Sequence, residues 1–359
     1  MTSGKSRLGT AGGLALTAAA SLALCGTGEP GELTGRQLFL RHCARCHTTG
    51  GSGLPDGHPL LDNFSRPPAD FTDPLFNSME PGSDWLLAVL HGGASMGLSP
   101  QMPAHADRLT AGEADAVVGY LDTLAETAGY PPGELNFVRA QRTIKAFPET
   151  ELLFLGRYER ADDGTDAWKS TVYHGRRLGR RLQVEGKLSQ TNRGAEEEYE
   201  AELGVKWSFL SRGTSLLVAA GAEAEVPFGD SGSSTVIPYL SHASPLGERF
   251  TLQGTLRSHL PADEPGAGDL ELSEVVHWRS TPWRRGVFPG LELVLTAPFR
   301  GEDAWELSAI PQLHLAMSRR GHVALNVGVE LPLTGSRTEV RALAFLLWDI
   351  PDGAFWEGW

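Results

Sequence analysis

The spacing of hydrophobic residues changes near residue 150 of this 359-residue chain. Before that point apolar side chains recur at helical spacing, with one face suited to burial. The clearest such run is Ala116, Val117, Tyr120, Leu121 and Leu124. From Glu151 onward apolar and polar residues alternate, which indicates antiparallel strands with one apolar face. The sequence therefore predicts a helical segment followed by an all-β segment.

The first segment has recognisable helix signals. A helix is predicted over 35–42, with Leu38 and Phe39 on its apolar face. A second helix is predicted over 83–90, with Ser83 as its N-cap. The third begins with the capping box Thr110-Ala111-Gly112-Glu113. The glycine- and proline-rich stretch between the first two helices predicts loops.

The second segment predicts about ten to twelve strands of about ten residues each. Alternation is most regular in 182–189, 199–209 and 323–331. We assign residues 31–130 to the helical domain and 151–359 to the β domain. The linker 131–150 starts at Pro131-Pro132-Gly133. A short helix is predicted inside it, around Val138 to Lys145.

Two architectures share this β pattern. A soluble β-sandwich turns its apolar face inward, whereas an outer-membrane barrel turns it to lipid. The barrel is favoured by the number of strands, the alternation of short and long turns and the terminal aromatic Trp359. It is also favoured by tryptophans near strand ends, as in aromatic girdles: Trp168, Trp207, Trp278, Trp305 and Trp348. We expect a multidomain chain, all-α and then an antiparallel barrel, with the sandwich as the alternative.

Residues 1–25 are predicted to be an export signal. Lys5 and Arg7 precede an apolar run from Leu14 to Leu24, which is too short to cross a bilayer as a helix. The run ends at Cys25 in a sequence similar to a lipobox, although Leu24 is larger than that pattern requires. Lipidation of Cys25 and ordinary cleavage both stay open, and either takes the chain out of the cytoplasm.

The five residues Cys43-Ala44-Arg45-Cys46-His47 carry the clearest chemistry. A C-x-x-C-H motif is the attachment signature of c-type haem, in which two thiols bind the porphyrin and the histidine ligates iron. A zinc site would require a second ligand pair. A redox dithiol would follow a strand and lack the histidine. We therefore expect one covalent haem c.

The motif makes residues 31–130 resemble a class I mono-haem cytochrome c. A second resemblance to that family is the Met102-Pro103 pair, which lies shortly before the last predicted helix. The resemblance implies an all-α fold around a haem whose iron is ligated by His47 and Met102. It also implies a loop proline, best matched by Pro59, whose carbonyl holds the His47 imidazole.

Other residues could occupy the sixth position on iron. Met96, in the glycine-rich loop 92–97, is the alternative ligand. His91 and His105 are weaker distal candidates. A thioether ligand raises the reduction potential and fills the open position, which argues against substrate chemistry at the metal. Because the sequence has no second C-x-x-C-H, a di-haem peroxidase is not expected, and the chain is predicted to be a carrier and not an enzyme.

The β segment is similar, less specifically, to small outer-membrane proteins of the transporter-like type associated with aromatic-compound degradation. The similarity lies in Pro311-Gln312-Leu313, in 321–333 and in Leu347-Trp348-Asp349. It implies a membrane barrel and specifies no substrate.

The net charge of the chain limits the classes of partner that it can bind. The formal net charge is −13, which argues against nucleic acid. Region 26–130 holds thirteen Asp and Glu against five Arg, a net charge of −8, which predicts periplasmic redox partners with basic docking surfaces.

The predicted function is electron transfer by a haem held at the periplasmic face of the outer membrane. The alternatives are a channel or transporter with a haem redox-sensor domain, and a soluble cytochrome subunit of a redox complex.

Overall fold

The computed structural model describes residues 33–228, 232–300, 305–334 and 338–350. The predicted export signal 1–25, the lipobox at Cys25 and the terminal aromatics up to Trp359 lie outside the described residues. Among the helices in these ranges, none is long and apolar enough to cross a membrane.

The helical region holds five described α-helices and three short 3-10 helices. The α-helices are α1 (Gly35–His42), α2 (Ala44–His47), α3 (Pro74–Asn77), α4 (Gly82–His91) and α5 (Ala111–Leu121). The 3-10 helices are Pro59–Asn63, Gly93–Met96 and Gly133–Leu135, and a fourth, Pro265–Ala267, lies in a later loop. α1 packs on α5 at close range: a Cβ at Gly35 would lie 1.9 Å from the Ala116 carbonyl oxygen.

Of two predicted helix caps, one is present in the structure and the other is not. The capping box of α5 forms, since the Glu113 N–H donates to Thr110 Oγ1 at 3.2 Å and the Thr110 N–H donates to the Glu113 carboxylate at 2.9 Å. The prediction of Ser83 as an N-cap is wrong, because α4 starts one residue earlier and Pro81 is its N-cap. The Ser83 hydroxyl instead donates to the Pro282 carbonyl in the β region at 2.9 Å.

The β region is a closed antiparallel barrel of twelve strands within the described ranges, in which each strand pairs with the next and β12 pairs with β1. The strands are β1 (Glu151–Ala161), β2 (Asp166–Leu178), β3 (Leu182–Arg193), β4 (Glu196–Arg212), β5 (Leu216–Phe228), β6 (Thr235–Leu246), β7 (Phe250–Pro261), β8 (Asp269–Trp278), β9 (Val287–Pro298), β10 (Glu306–Ala316), β11 (Val323–Pro332) and β12 (Thr338–Asp349). The predicted barrel is confirmed, and closure excludes the β-sandwich.

The barrel is apolar outside and polar inside. Leu203 is 73% exposed and Leu188 61% exposed on the outer surface, and both alternate with inward side chains. The inward positions include fully buried polar groups such as Gln183, Glu292 and Asn326. This is the reverse of a soluble β-sandwich, whose apolar face fills the core.

The two ends of the barrel differ. We call the end where β1 begins and β12 ends the near end, and the opposite end the far end. Three near-end turns have three residues each, at 179–181, 213–215 and 247–249, while 279–286 and 317–322 are longer. The helical region contacts the near end through these two longer turns, as the hydrogen bonds below show, and through Arg181 of the turn 179–181, which donates to the Gly129 carbonyl at 2.6 Å.

The linker differs from its prediction. Within 131–150 the only described helix is Gly133–Leu135, so the expected helix around Val138 to Lys145 is not formed. Residues 136–150, which we call the luminal segment, lie inside the barrel instead. Phe137 and Phe147 are buried there against Leu217 and Ala243. Most of the segment predicted as a linker is therefore packed inside the barrel.

Candidate haem site and its contacts with the barrel

The C-x-x-C-H motif begins where α1 ends. The Cys43 N–H donates to the Phe39 carbonyl at 2.8 Å, and the His47 N–H donates to the Cys43 carbonyl at 3.0 Å. Cys43, Cys46 and His47 therefore lie on one tight turn. Thr48, with a φ of 60°, ends α2 directly after the motif.

His47 is buried and oriented. Its Nδ1 lies 3.2 Å from the Ala69 carbonyl oxygen, so the Nδ1–H donates and Nε2 stays available as a ligand atom. The Phe71 ring lies 4.8 Å from the imidazole. Burial lowers the pKa of His47, and the Ala69 contact only partly offsets this, so the imidazole is in the neutral form that binds metal.

The predicted carbonyl partner of His47 is corrected by this contact. Pro59 is exposed and begins a 3-10 helix, while Ala69, which follows Pro68, supplies the carbonyl. The loop 62–82 has several prolines, and sequence spacing alone did not distinguish them. The role expected of Pro59 thus belongs to a residue ten positions later.

The loop carrying Met102 is fixed to the turn after α4. The Gly93 N–H donates to the Met102 carbonyl at 3.0 Å, and the Met102 N–H donates to the Ser99 carbonyl at 3.2 Å. A Cβ at Gly93 would lie 2.3 Å from the Ser99 oxygen, so this approach requires glycine. Met96 is only 4% exposed, whereas Met102 is partly exposed and keeps an accessible side chain.

The two distal histidines have different environments. His91 is exposed at the end of α4. His105 is 4% exposed, and its ring centroid lies 5.7 Å from that of His42. Burial lowers the pKa of His105, and His42 and Arg108 lower it further. Its Nδ1 has no hydrogen-bond partner among the described residues.

The residues present fit a covalently bound haem. Burial raises the pKa of Cys43 to about 11, with Cys46 adding to the shift, so the unmodified side chain is a thiol. Both cysteines are free and partly exposed. Two thiols, an imidazole with a free Nε2 and an accessible thioether are the donor set that a class I cytochrome c requires.

The helical region is fixed to the near end of the barrel by Arg284. This residue of the turn 279–286 is 12% exposed, and its guanidinium contacts Glu80 at 3.2 Å, Glu149 at 3.4 Å and Asp349 at 2.6 Å. Its backbone N–H donates to Asp84 at 3.0 Å. One side chain therefore joins the helical region, the luminal segment and the last strand.

The pKa values of Glu80 and Asp84, two carboxyl groups at this contact, are shifted in opposite directions. Burial raises the pKa of Glu80, but Arg284 and His322 more than offset this, so its pKa lies well below the usual range. Burial and the charge of Glu80 raise the pKa of Asp84 to about 7, against a smaller opposing effect of Arg284.

Two more arginines hold the loop beside Met102. Arg285 donates to the Ser95 carbonyl at 3.1 Å, and Arg319 donates to the Ala94 carbonyl at 2.8 Å. Both acceptors lie in the 3-10 helix Gly93–Met96, whose first residue bonds to the Met102 carbonyl. The barrel thereby supports the segment that contains both methionine candidates.

The luminal segment reaches past the middle of the barrel. At its tip Arg142 pairs with Glu271 at 2.5 Å and Glu330 at 3.1 Å, near the far ends of β8 and β11. The Thr143 N–H donates to Glu292 at 2.6 Å. On the return, Lys206 donates to the carbonyls of Lys145 and Phe147 at 2.9 and 3.1 Å.

A cavity opens beyond this tip toward the far end. It measures about 230 Å³, and its lining includes Arg142, Arg157, Arg341, Glu306 and Ser308. Charged groups of both signs line it, so the luminal segment is the floor of a polar vestibule.

Sequence reasoning missed the residues that join the two regions. Arg284, Arg285 and Arg319 lie in turns, and Arg142 lies in a segment assigned to a linker. The available signal was the concentration of arginine in the turns 279–286 and 317–322, opposite a helical region of net charge −8.

Comparison with known proteins supports the reading of the helical region. Residues 33–125 match the family model described as Cytochrome c. The match covers about a quarter of the chain and contains the C-x-x-C-H motif and Met102. The described residues thus comprise a helical region that matches the cytochrome c family model and a barrel of twelve strands. A search of curated proteins finds no match.

Solved structures resemble the barrel part. The KdgM porin has 12% identity and a TM-score of 0.43, with 55% of this chain and 99% of the porin covered. An outer membrane channel from Pseudomonas putida F1 has 9% identity and a TM-score of 0.46, with 60% and 100% covered. Outer membrane phospholipase A from Escherichia coli has 11% identity and a TM-score of 0.36, with 60% and 95% covered. These values carry no property of those proteins over to this chain.

Proposed function

We propose that this chain is an electron carrier: a mono-haem cytochrome c fixed to the outer membrane by its own barrel. The proposal is carried by Cys43, Cys46 and His47 on one tight turn within a region that matches the cytochrome c family. Haem bound there would supply one-electron exchange between ferrous and ferric iron. The single C-x-x-C-H motif corresponds to one haem.

Each residue has a defined task. Cys43 and Cys46 attach the cofactor, and His47 offers Nε2 to the iron. The Ala69 carbonyl accepts the Nδ1 proton, which fixes the tautomer and makes the imidazole a stronger donor. Met102 would supply the second protein ligand to the iron, with Met96 as the alternative. With both ligands bound, the iron would exchange electrons without binding a substrate, and the protein would set its reduction potential and its docking surface.

The barrel suits a membrane. Leu188, Leu203 and Leu291 are more than half exposed on its outer surface, an apolar area that a soluble protein would bury. The cytochrome region is held at the near end, where β1 begins and β12 ends. We propose that this end faces the periplasm, because an even number of strands keeps both ends of the barrel chain on one side of the membrane, and haem c is attached outside the cytoplasm.

The channel alternative rests on the polar lumen, which hydrogen bonds with the luminal segment along β4, β7, β9 and β11. Because that segment occupies the interior, a membrane anchor is favoured over an open pore. A soluble redox subunit is disfavoured by the exposed apolar wall.

The partners we propose are periplasmic redox proteins with basic docking surfaces. The cytochrome region has a net charge of −8, and several of its carboxylates are exposed, including Asp62, Asp70, Asp73 and Asp115. Weak electron-transfer contacts depend on such fields for steering.

The test is a reduced-minus-oxidised visible spectrum of membrane and soluble fractions from cells that mature c-type haem. We expect a c-type α-band in the outer-membrane fraction and a methionine-to-iron charge-transfer band on oxidation. Met102→Ala should abolish the charge-transfer band and lower the potential by on the order of 0.1 V, within the about 0.8 V range that axial ligands span. Met96→Ala is the matched control and should keep the band. The absence of covalent haem would refute the proposal.

A further inference from the structure

An ionisable pair lies in the middle of the apolar outer wall of the barrel. His242 on β6 and Glu274 on β8 both face outward, and His242 Nε2 lies 3.0 Å from Glu274 Oε1. The two residues are separated by β7, and Gly254 is in register with both. The contact therefore spans three strands on the side away from the lumen.

Gly254 makes the contact possible. A Cβ at this position would lie 2.2 Å from Glu274 Oε1 and 2.4 Å from His242 Nε2. Side chains two strands apart do not ordinarily meet, because the residue between them fills the space. The absent side chain at Gly254 lets the imidazole and the carboxylate meet across β7.

The surroundings of the pair are apolar. The next outward row toward the far end is Leu240, Leu256 and Leu272, each 40–49% exposed. Toward the near end, Phe250 and Trp278 form an aromatic edge. The pair lies inside the band that would face hydrocarbon, where ionisable groups are costly unless they meet protein.

We propose that the outer wall of β6, β7 and β8 is the interface of a symmetric dimer of this chain, centred on His242, Gly254 and Glu274. Each copy presents one imidazole and one carboxylate. A two-fold axis through Gly254 places each group opposite its complement, as an isologous contact requires. Ser244 and Ser258, on the same outward face, are small and allow two barrels to approach closely.

Within one copy the polar surface of the pair is only partly covered. The side chains of His242 and Glu274 keep 32% and 38% of their surface exposed, although they already contact each other. A second copy would remove that polar surface from lipid. This inference rests on the membrane placement proposed above and is independent of the haem.

The experiment measures the oligomeric state of the full haem-loaded protein in detergent and in lipid nanodiscs, by light scattering and by cross-linking. We expect a dimer. The double variant His242→Leu with Glu274→Leu should weaken dimerisation by about tenfold or more. The variant removes two symmetry-related polar contacts, and two such contacts between membrane-embedded segments together account for about that change in the dimerisation constant. Gly254→Ala should do the same by separating the two side chains. Phe154→Leu, an outward change on β1, is the matched control and should leave the dimer intact.

A location test keeps the proposal refutable if a variant misfolds. Leu256→Cys should form a disulfide between two copies under mild oxidation, and Phe154→Cys should not. A wild-type protein that is monomeric in both detergent and nanodiscs overturns the proposal. So does a dimer that persists in the double variant, or a cross-link from Leu256→Cys to a different protein. Failure of the haem spectrum would leave these results unchanged, so the two proposals fail separately.

Discussion

Arg284 is the residue whose loss should most weaken the contact between the cytochrome region and the barrel. We consider Arg284→Met, which keeps much of the side-chain volume and removes the charge. The guanidinium is 12% exposed and contacts Glu80, Glu149 and Asp349 at 3.2, 3.4 and 2.6 Å. Removing it takes the shared cation from all three carboxyl groups. Glu149 keeps Lys145 at 2.6 Å and Glu80 keeps His322 at 3.2 Å, whereas the ion pair of Asp349 is lost.

The magnitude follows from the burial of this cluster. Removing one partner of a buried ion pair costs about 3–5 kcal/mol, because the remaining charge stays buried and uncompensated. At about 1.4 kcal/mol per tenfold, local opening should become roughly a hundredfold to several thousandfold more frequent. Because Arg284 contacts Glu80 and Asp84, the effect should appear in α4 and in the neighbouring loop that holds Met102.

Hydrogen exchange of the full protein provides the assay. We expect amide protection in α4 and in residues 93–105 to fall in Arg284→Met, while strands far from the near end keep theirs. Arg300→Met is the matched control, because Arg300 pairs with Glu264 at 68% and 64% exposure. Such an exposed pair contributes about 0–1 kcal/mol. Protection within threefold of wild type in Arg284→Met would refute the reasoning, as would an equal effect of the control.

Two further predictions concern charge at the same contact and in the lumen. Burial and the charge of Glu80 raise the pKa of Asp84 to about 7, above its value in the unfolded chain. The folded contact between the helical region and the barrel therefore binds an extra proton between about pH 4 and 7, and its stability should fall as pH rises to 7. Asp84→Asn should remove this pH dependence, measured as the melting temperature of the helical region. Arg142→Glu would add a carboxylate beside Glu271 and Glu330. It should displace the luminal segment and raise conductance in planar bilayers well above the closed wild type, and no increase would contradict the closure of the lumen by this segment.

The parts of the fold that were predictable depend on local chemistry. Alternation from Glu151 onward predicted strands, because each residue on a barrel wall faces either lipid or lumen. The capping box at Thr110 and Glu113 formed as expected, since both partners lie within one turn. The C-x-x-C-H motif was recognisable because the attachment of haem c uses two cysteines and an iron-binding histidine at fixed spacing.

The parts that were not predictable depend on contacts distant in sequence. Ser83 has the chemistry of an N-cap, but its hydroxyl donates to Pro282, which is 199 residues away. Residues 136–150 have the composition of a linker, yet they are buried because the wall supplies carboxylates and hydroxyls for their backbone. Likewise Pro59 fitted a family pattern, while Ala69 had the suitable position in space.

The luminal segment also determines how the cytochrome region can move. A flexible linker would let that region search a volume set by linker length. Here the connection starts at Gly133, enters the barrel directly and is hydrogen-bonded through Glu149, so almost no free chain is left between the two regions. Arg284, Arg285 and Arg319 then fix the face that lies against the barrel. Under the proposed function a redox partner approaches the remaining face, which includes the exposed Asp62, Asp70 and Asp73. Reduction by a basic partner should therefore slow as ionic strength rises, without any change in the orientation of the haem relative to the membrane.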